Sequence, residues 1–522
     1  MDLRRSGSDS YDAIIVGGGI GGLVAAAYLA RARAHVLLLE ASGRFGGRTE
    51  MAEFAGGFRA PVSAQALYAL DERALRELRL ASGGLQFAQT GMDMIALRPG
   101  GEHFVLPQRG FRARASLAAR GGPDGRAYAG FHKETRTFAR KLRPLWDGSV
   151  RGVSGRDEDG MLAVLARRLR LCDRDAERLE DFSRLSAAAY LDRWFENDAL
   201  KAALSFDAFP SGLSPQEAGS ALVLIWRYAQ ESRARPSAAS RLRGGPGAFA
   251  AALETPAKDA GAELRTAARV GSIIVEKRRA IGVTLASGEI IAGRAVLSCL
   301  DERQTLLGLV PPESLGFGTA AHLPAYQKIA TAQVMLALNG LPPFAGLERS
   351  GLASRLLIAE RPEAASESKS AALMDHLPKA LAMEVTIPTV ADSSLAPPGG
   401  HVLCALLPYL PVSVAGGWEA GREILKMRVL RALEAFAPGL RERLVDAHVV
   451  TPEDMAERSG GGVAAALATP WSRLLASYDA RISTPIAGLY LCGSAAEPVN
   501  VISGRAGRLA AWMVFSEQGS PS

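Results

Sequence analysis

The segment Tyr11-Asp-Ala-Ile-Ile-Val16 is a short apolar run that stops at Gly17-Gly-Gly-Ile-Gly-Gly22, and this junction constrains the fold more than any other part of the chain. The run reads as a buried strand, the alanine-rich stretch Leu23 to Arg33 as a helix, and His35-Val-Leu-Leu-Leu39 as a second strand ending at Glu40. Strand, glycine loop, helix, strand and acid in this register make a Rossmann-type dinucleotide unit. Gly17 allows the tight turn, Gly19 lets a pyrophosphate approach the backbone, and Gly22 lets the helix pack on the strand. The helix N-terminus then faces the phosphates. Glu40, about 20 residues beyond the glycines, is placed to accept hydrogen bonds from a ribose. An unliganded glycine turn would not require the second strand and its terminal acid.

A chain of 522 residues exceeds what one core supports, so two intertwined domains are expected. The net charge of +7 is spread along the chain with acids interleaved, which argues against a nucleic-acid partner. Cys172, Cys299, Cys404 and Cys492 lie far apart without a C-x-x-C pair, and the seven histidines show no metal-ligand spacing. These features indicate a reducing, cytoplasmic setting, no metal, and no dithiol that relays electrons. The apolar run Ala13 to Ala30 is broken by glycines and reads as folded structure, not as a signal peptide. One face of Phe131 to Trp146 and of Leu165 to Arg178 is basic, which leaves peripheral membrane contact open beside the simpler reading of a solvated face. Oligomeric state has no signature in the sequence.

The stretch Glu40-Ala-Ser-Gly-Arg-Phe-Gly-Gly-Arg-Thr49 resembles the E-A-x-x-R-x-G-G-R-x signature of the flavin amine oxidase and phytoene desaturase superfamily. The resemblance implies non-covalent FAD, with Glu40 and Ala41 in the signature, Gly46 and Gly47 admitting the pyrophosphate, and Arg44 and Arg48 neutralising it. One phosphate-side arginine of the amine oxidases is Ser42 here. The family's adenine contact, made through a residue's backbone, maps onto Val270, in the strand Val270 to Glu276. Near the C-terminus, Gly488-Leu-Tyr-Leu-Cys-Gly-Ser494 and the following loop and helix, Arg508 to Phe515, look like the family's flavin-closing tail. They are most similar to the branch containing pyridine nucleotide-disulfide oxidoreductase domain-containing protein 2. By that resemblance Gly493, Ser494 and Ile502 contact FAD, and the last helix points its N-terminal amides at the flavin. Relatives carry His-Pro-Gly-Gly-Gly where this chain has Glu497-Pro-Val-Asn-Val501, so a narrower flavin face is expected. Glu497 is then a candidate base and Asn500 or Glu497 a polar contact to substrate.

Gly244 to Gly247 is not preceded by an apolar strand and reads as a helix-opening turn, so a second nucleotide domain is not expected. Residues 66 to 240 read as largely helical, with Asp71 to Ala81, Phe131 to Trp146, Met161 to Leu171 and Ala187 to Leu204 the clearest stretches. Lys328, before the strand Ile329 to Leu338, resembles the amine oxidase lysine held near flavin N5, where desolvation would make it a proton relay; an exposed lysine at a strand start is the alternative. Thr451-Pro-Glu-Asp454 resembles the family's T-P-x-D turn, while the H-G pair that follows in relatives is absent from Ser459 to Val463.

The expected fold is α/β. It comprises a discontinuous FAD domain (10–65, 240–320 and 475–518) and an α+β substrate domain (66–239 and 321–474). The expected function is an FAD-dependent oxidoreductase, a phytoene desaturase-like dehydrogenase that removes hydride from a largely apolar small molecule. A flavin amine oxidase using oxygen, or a weakly catalytic flavin-binding scaffold, are the alternatives.

Overall fold

The Ala13–Val16 strand is fully buried because parallel strands flank it on both edges, Val36–Leu39 on one side and Val296–Ser298 on the other. Beyond these lie Glu263–Arg265 and Leu489–Leu491, also parallel, completing a five-stranded sheet whose strands come from both ends and the middle of the chain. The computed structural model describes residues 10–107, 122–154, 158–230, 239–316, 318–458 and 471–518. The departure of Ser459 to Val463 therefore lies outside the described residues.

The first helix runs Ile20–Arg31, starting earlier than the sequence pattern suggests because the end of the glycine loop already coils into its first turn. It packs between two other helices, Gly247–Asp259 and Arg505–Gln518. Its small residues let the neighbours approach closely. A Cβ on Gly22 would stand 2.2 Å from the Gly17 carbonyl oxygen, one on Gly21 2.0 Å from that of Cys492, and one on Gly507 2.0 Å from that of Gly21. The opposite face of the sheet is covered by an antiparallel meander, Val270–Glu276, Arg279–Leu285 and Ile290–Ala292.

The second half is built on a seven-stranded mixed sheet, ordered Leu444–Val450, Ile329–Asn339, Gly400–Pro411, Met383–Thr386, Arg355–Ile358, Met94–Ala96 and Phe104–Leu106. The helix Trp418–Glu434 packs over an apolar core formed with this sheet. Six helices, beginning with Gly122–Trp146 and ending with Ser220–Gln230, form a roof around a core that contains Phe131, Trp146, Tyr190 and Trp226.

Three expectations need correction. Residues 66 to 240 are not simply helical, since Met94–Ala96 and Phe104–Leu106 extend the large sheet. Strands of three residues are too short to show a period of two. The stretch Ala187 to Leu204 is two helices, Ala187–Asp192 and Asp198–Phe206. It breaks where Asp124 takes the amides of Glu196 and Asn197, and Asn197 caps the second helix. Ser240–Leu242 is a strand after all, paired with Phe87–Thr90 and outside the five-stranded sheet; Gly244 and Gly245 then turn into a helix at left-handed φ.

The crossing of the first and last helices has no room for a methyl group. Gly507→Ala is expected to destabilise the protein by about 1–3 kcal/mol and to lower the melting temperature. Gly56→Ala, where an added Cβ meets nothing within 4 Å, is the control expected to leave it unchanged.

Candidate functional site

Where the five parallel strands end, their connecting loops enclose one side of a cavity of about 880 Å³. Gly17 turns the chain at φ +98°, a conformation that glycine adopts without strain. The first helix has no side-chain cap from its N-cap residue; the Cys299 thiol takes the Gly19 and Gly22 amides, which leaves those of Ile20 and Gly21 for a ligand. Glu40 braces this turn, accepting from the Gly18 amide at 2.7 Å and from the Ser42 amide at 2.7 Å. Gly18 matters as much as the fingerprint glycines, because a Cβ there would lie 2.5 Å from Phe45 Cδ1.

Gly46 and Gly47 fold over the glycine loop, both at positive φ, with the Gly46 amide donating to the Gly18 carbonyl at 2.8 Å. This presents Arg48 to the cavity. Arg48 has substantial accessible surface yet lies deep in the molecule, since that surface faces the cavity instead of bulk water. Burial lowers its pKa, and no carboxylate pairs with it among the described residues. A desolvated guanidinium beside the N-terminus of a helix suits the pyrophosphate of a bound nucleotide. Arg44 lies at the rim with its side chain 67% exposed, and with Arg458 it flanks the Glu50 carboxylate.

The C-terminal strand delivers Cys492 and Gly493 against the glycine loop, and a Cβ on Gly493 would stand 2.2 Å from the Cys299 carbonyl oxygen. Cys299 and Cys492 follow paired residues of adjacent parallel strands, so their thiols meet. The hydrogen bond from Cys492 lowers the Cys299 pKa, and the same contact together with burial raises that of Cys492. Sequence spacing gave no sign of this pair, because strand order alone brings the two residues together.

The altered loop does not act as expected. Glu497 lines the cavity, but its oxygens accept from the Tyr478 hydroxyl, the Ser503 hydroxyl and, at 2.9 Å, the Ala506 amide. All three donors hold the carboxylate at the N-terminus of the last helix, so it caps that helix and is not a free base. Ser503 takes the Arg505 amide at 2.9 Å, so two amides expected to face the flavin are already bonded. Val499 is buried in the core of the helical roof, Val501 packs there and also lines the cavity, and Asn500 is exposed at the cavity.

Of the predicted site residues, Gly17, Gly19, Glu40, Arg44, Gly46, Gly47, Arg48, Gly493, Ser494, Ile502 and Glu497 line the cavity. Gly22 and Ala41 are not part of its lining. Val270 packs its side chain in the apolar cluster with Ile14 and Leu37, so the contact that the resemblance implies would come from its backbone. Lys328 is elsewhere: its side chain is 65% exposed and its Nζ lies 3.4 Å from Asp375, so the desolvated lysine near a flavin is not present. Thr451 and Asp454 form a reciprocal cap on the Pro452–Arg458 helix.

Beyond the loops the cavity continues between apolar walls formed by Leu67, Phe209, Ile329, Leu406 and Tyr409. Among the described residues no helix is long and apolar enough to cross a membrane.

The sequence model of the flavin containing amine oxidoreductase family matches residues 20–333, more than half of the chain. Pyridine nucleotide-disulfide oxidoreductase domain-containing protein 2 of Rattus norvegicus is 28% identical over 97% of this chain and 94% of its own length. The neurosporene-forming phytoene desaturase of Cereibacter sphaeroides is 27% identical over 58% of each chain. An oxidoreductase of Methanosarcina mazei shares the fold, with a TM-score of 0.60, 19% identity, and coverage of 97% of this chain and 99% of its own.

Arg48→Gln separates binding from stability. The variant removes an unpaired desolvated charge, so the cofactor-free protein is expected to melt no lower than the parent. Flavin uptake should weaken by the value of a charge-assisted hydrogen bond, about 1.5–3 kcal/mol, or roughly ten- to a hundredfold in Kd. Fluorescence titration with added flavin alongside thermal melts reads both.

Proposed function

The chain belongs to the flavin containing amine oxidoreductase family, and on that footing we propose that it is an FAD-dependent dehydrogenase of the phytoene desaturase-like kind, acting on a largely apolar small molecule. The observation that carries this reading is a single cavity joining the dinucleotide loops, with the unpaired Arg48, to an apolar chamber between the large sheet and the helical roof. FAD, held without a covalent bond, would supply hydride acceptance.

The residues of the chain bind, orient and exclude water. Gly17, Gly19 and the open first turn would receive the pyrophosphate with Arg48 as counter-charge, and Glu40 would hold the ribose from a carboxylate already fixed by two backbone amides. Gly493, Ser494 and Ile502 would close the site from the C-terminal side. Apolar side chains such as Phe209, Ile329 and Leu406 would bury the substrate's hydrocarbon body and keep water from the reacting carbon. The surface position of Lys328 leaves the chamber without the lysine expected of an amine oxidase site.

Anaerobic mixing tests this. An organic-solvent extract of lipids is expected to bleach the flavin, whereas NADH, NADPH and benzylamine leave it oxidised. Bleaching by NADPH within seconds would contradict a single-nucleotide site, and hydrogen peroxide release with benzylamine in air would replace this reading by amine oxidation. A flavin that no donor reduces would support a binding scaffold.

A further inference from the structure

The cavity has a second polar region, away from the nucleotide loops. Tyr68 stands in its wall with its ring between two guanidinium groups, Arg227 at 4.9 Å and Arg355 at 5.1 Å from the ring centroid. Arg355 is well paired: it donates to Glu384 at 3.0 and 2.6 Å and to Asp207 at 2.7 Å. The other two buried arginines are not. Arg227, 4% exposed, approaches Asp207 at 3.3 Å, yet none of its nitrogens completes a hydrogen bond. Arg241, 2% exposed, reaches Gln89 at 3.4 Å and leaves Nε and Nη2 unpartnered. Desolvation lowers its pKa to about 10, so it remains charged at neutral pH.

Among the described residues, three guanidinium groups here face two carboxylates, Asp207 and Glu384, a surplus of one positive charge (3 − 2). Asp392, the next acid acting on Arg241, is held by the Gly244 amide and Ser394 and lies beside a further cation, Arg243. Uncompensated buried charge is costly unless something completes it. Glu384 also reaches the cavity wall, where its Oε2 already accepts twice from Arg355; the groups left without a partner there are donors. Gln65, 5% exposed, spends Oε1 on the Thr386 hydroxyl at 3.0 Å, and its Nε2 has no partner. Burial raises the Tyr68 pKa, so the phenol keeps its proton to donate.

We propose that this region receives a carboxylate carried by an otherwise apolar substrate, bound by Gln65 Nε2 and the Tyr68 hydroxyl within the surplus positive field of Arg227, Arg241 and Arg355. An ammonium would meet those donors and the surplus positive charge, and the one carboxylate of the cluster in the wall, Glu384, is already taken by Arg355. An unfunctionalised hydrocarbon would leave the Gln65 amide dry and unpaired. The inference rests on reading the apolar chamber as the substrate site of the oxidoreductase.

The test is calorimetric titration of the flavin-loaded protein with decanoate, decanol and decylamine. Decanoate is expected to bind at least about tenfold more tightly than the other two, the value of one hydrogen bond to a charged acceptor. Tyr68→Phe, which keeps the ring between the guanidinium groups, should lose most of that preference, as should Gln65→Leu. Gln65→Glu should invert it toward decylamine. All three are expected to retain flavin, read by absorbance. Equal affinity for the three ligands, or variants with unchanged decanoate affinity, would overturn the proposal. The ligand preference and the flavin are read separately, so loss of the oxidoreductase reading would be recognised apart from loss of this one.

Discussion

The structure depends on a backbone-to-backbone contact between chain segments that are remote in sequence. Gly21 in the first helix touches the Cys492 carbonyl, Gly493 touches that of Cys299, and Gly507 in the last helix touches that of Gly21. Each contact is too close for any side chain. The consequence is topological: the nucleotide loop, the end of the middle strand and the C-terminal strand can form one wall only when the last segment of the chain has docked. Arg508 and Asp71, both buried, lock the same helix to the start of the substrate half, and Arg505 reaches the Trp146 carbonyl in the roof. Fold completion and site completion are therefore the same event.

The charges divide along that wall. On the nucleotide side Arg48 has no carboxylate partner among the described residues, while Glu497 is engaged in capping the last helix. An anion there is met by a guanidinium and by first-helix amides, and the last helix has its positive end already compensated by the protein. This also explains why side chains are tolerated in a loop where relatives carry glycine. Val499 turns into the roof core, Glu497 becomes a structural acid, and Asn500 and Val501 are left at the cavity wall.

Local signals made the N-terminal unit legible. Strand, glycines, helix and acid occupy adjacent positions, and each is dictated by a backbone requirement that only certain residues meet. The same holds for the Gly46–Arg48 turn and for the C-terminal strand. What escaped were features set by tertiary placement. The Cys299–Cys492 contact follows from strand order, and the break at Asn197 follows from Asp124 arriving from another helix. For Lys328 the sequence leaves a flavin-side lysine and an exposed lysine at a strand start both open, and only the fold shows the side chain exiting to Asp375 at the surface. The buried cluster around Tyr68 was invisible because its arginines and acids come from five separate segments, and only the fold shows that they are unequal in number.

The central claim is that this wall holds FAD by non-covalent contacts alone. Acid precipitation of the purified yellow protein, followed by mass spectrometry of the supernatant and the pellet, tests it most directly. The account predicts one equivalent of intact FAD in the supernatant and an unmodified polypeptide. Flavin retained on the polypeptide, FMN in place of FAD, or a colourless protein that takes up no flavin on reconstitution would contradict it.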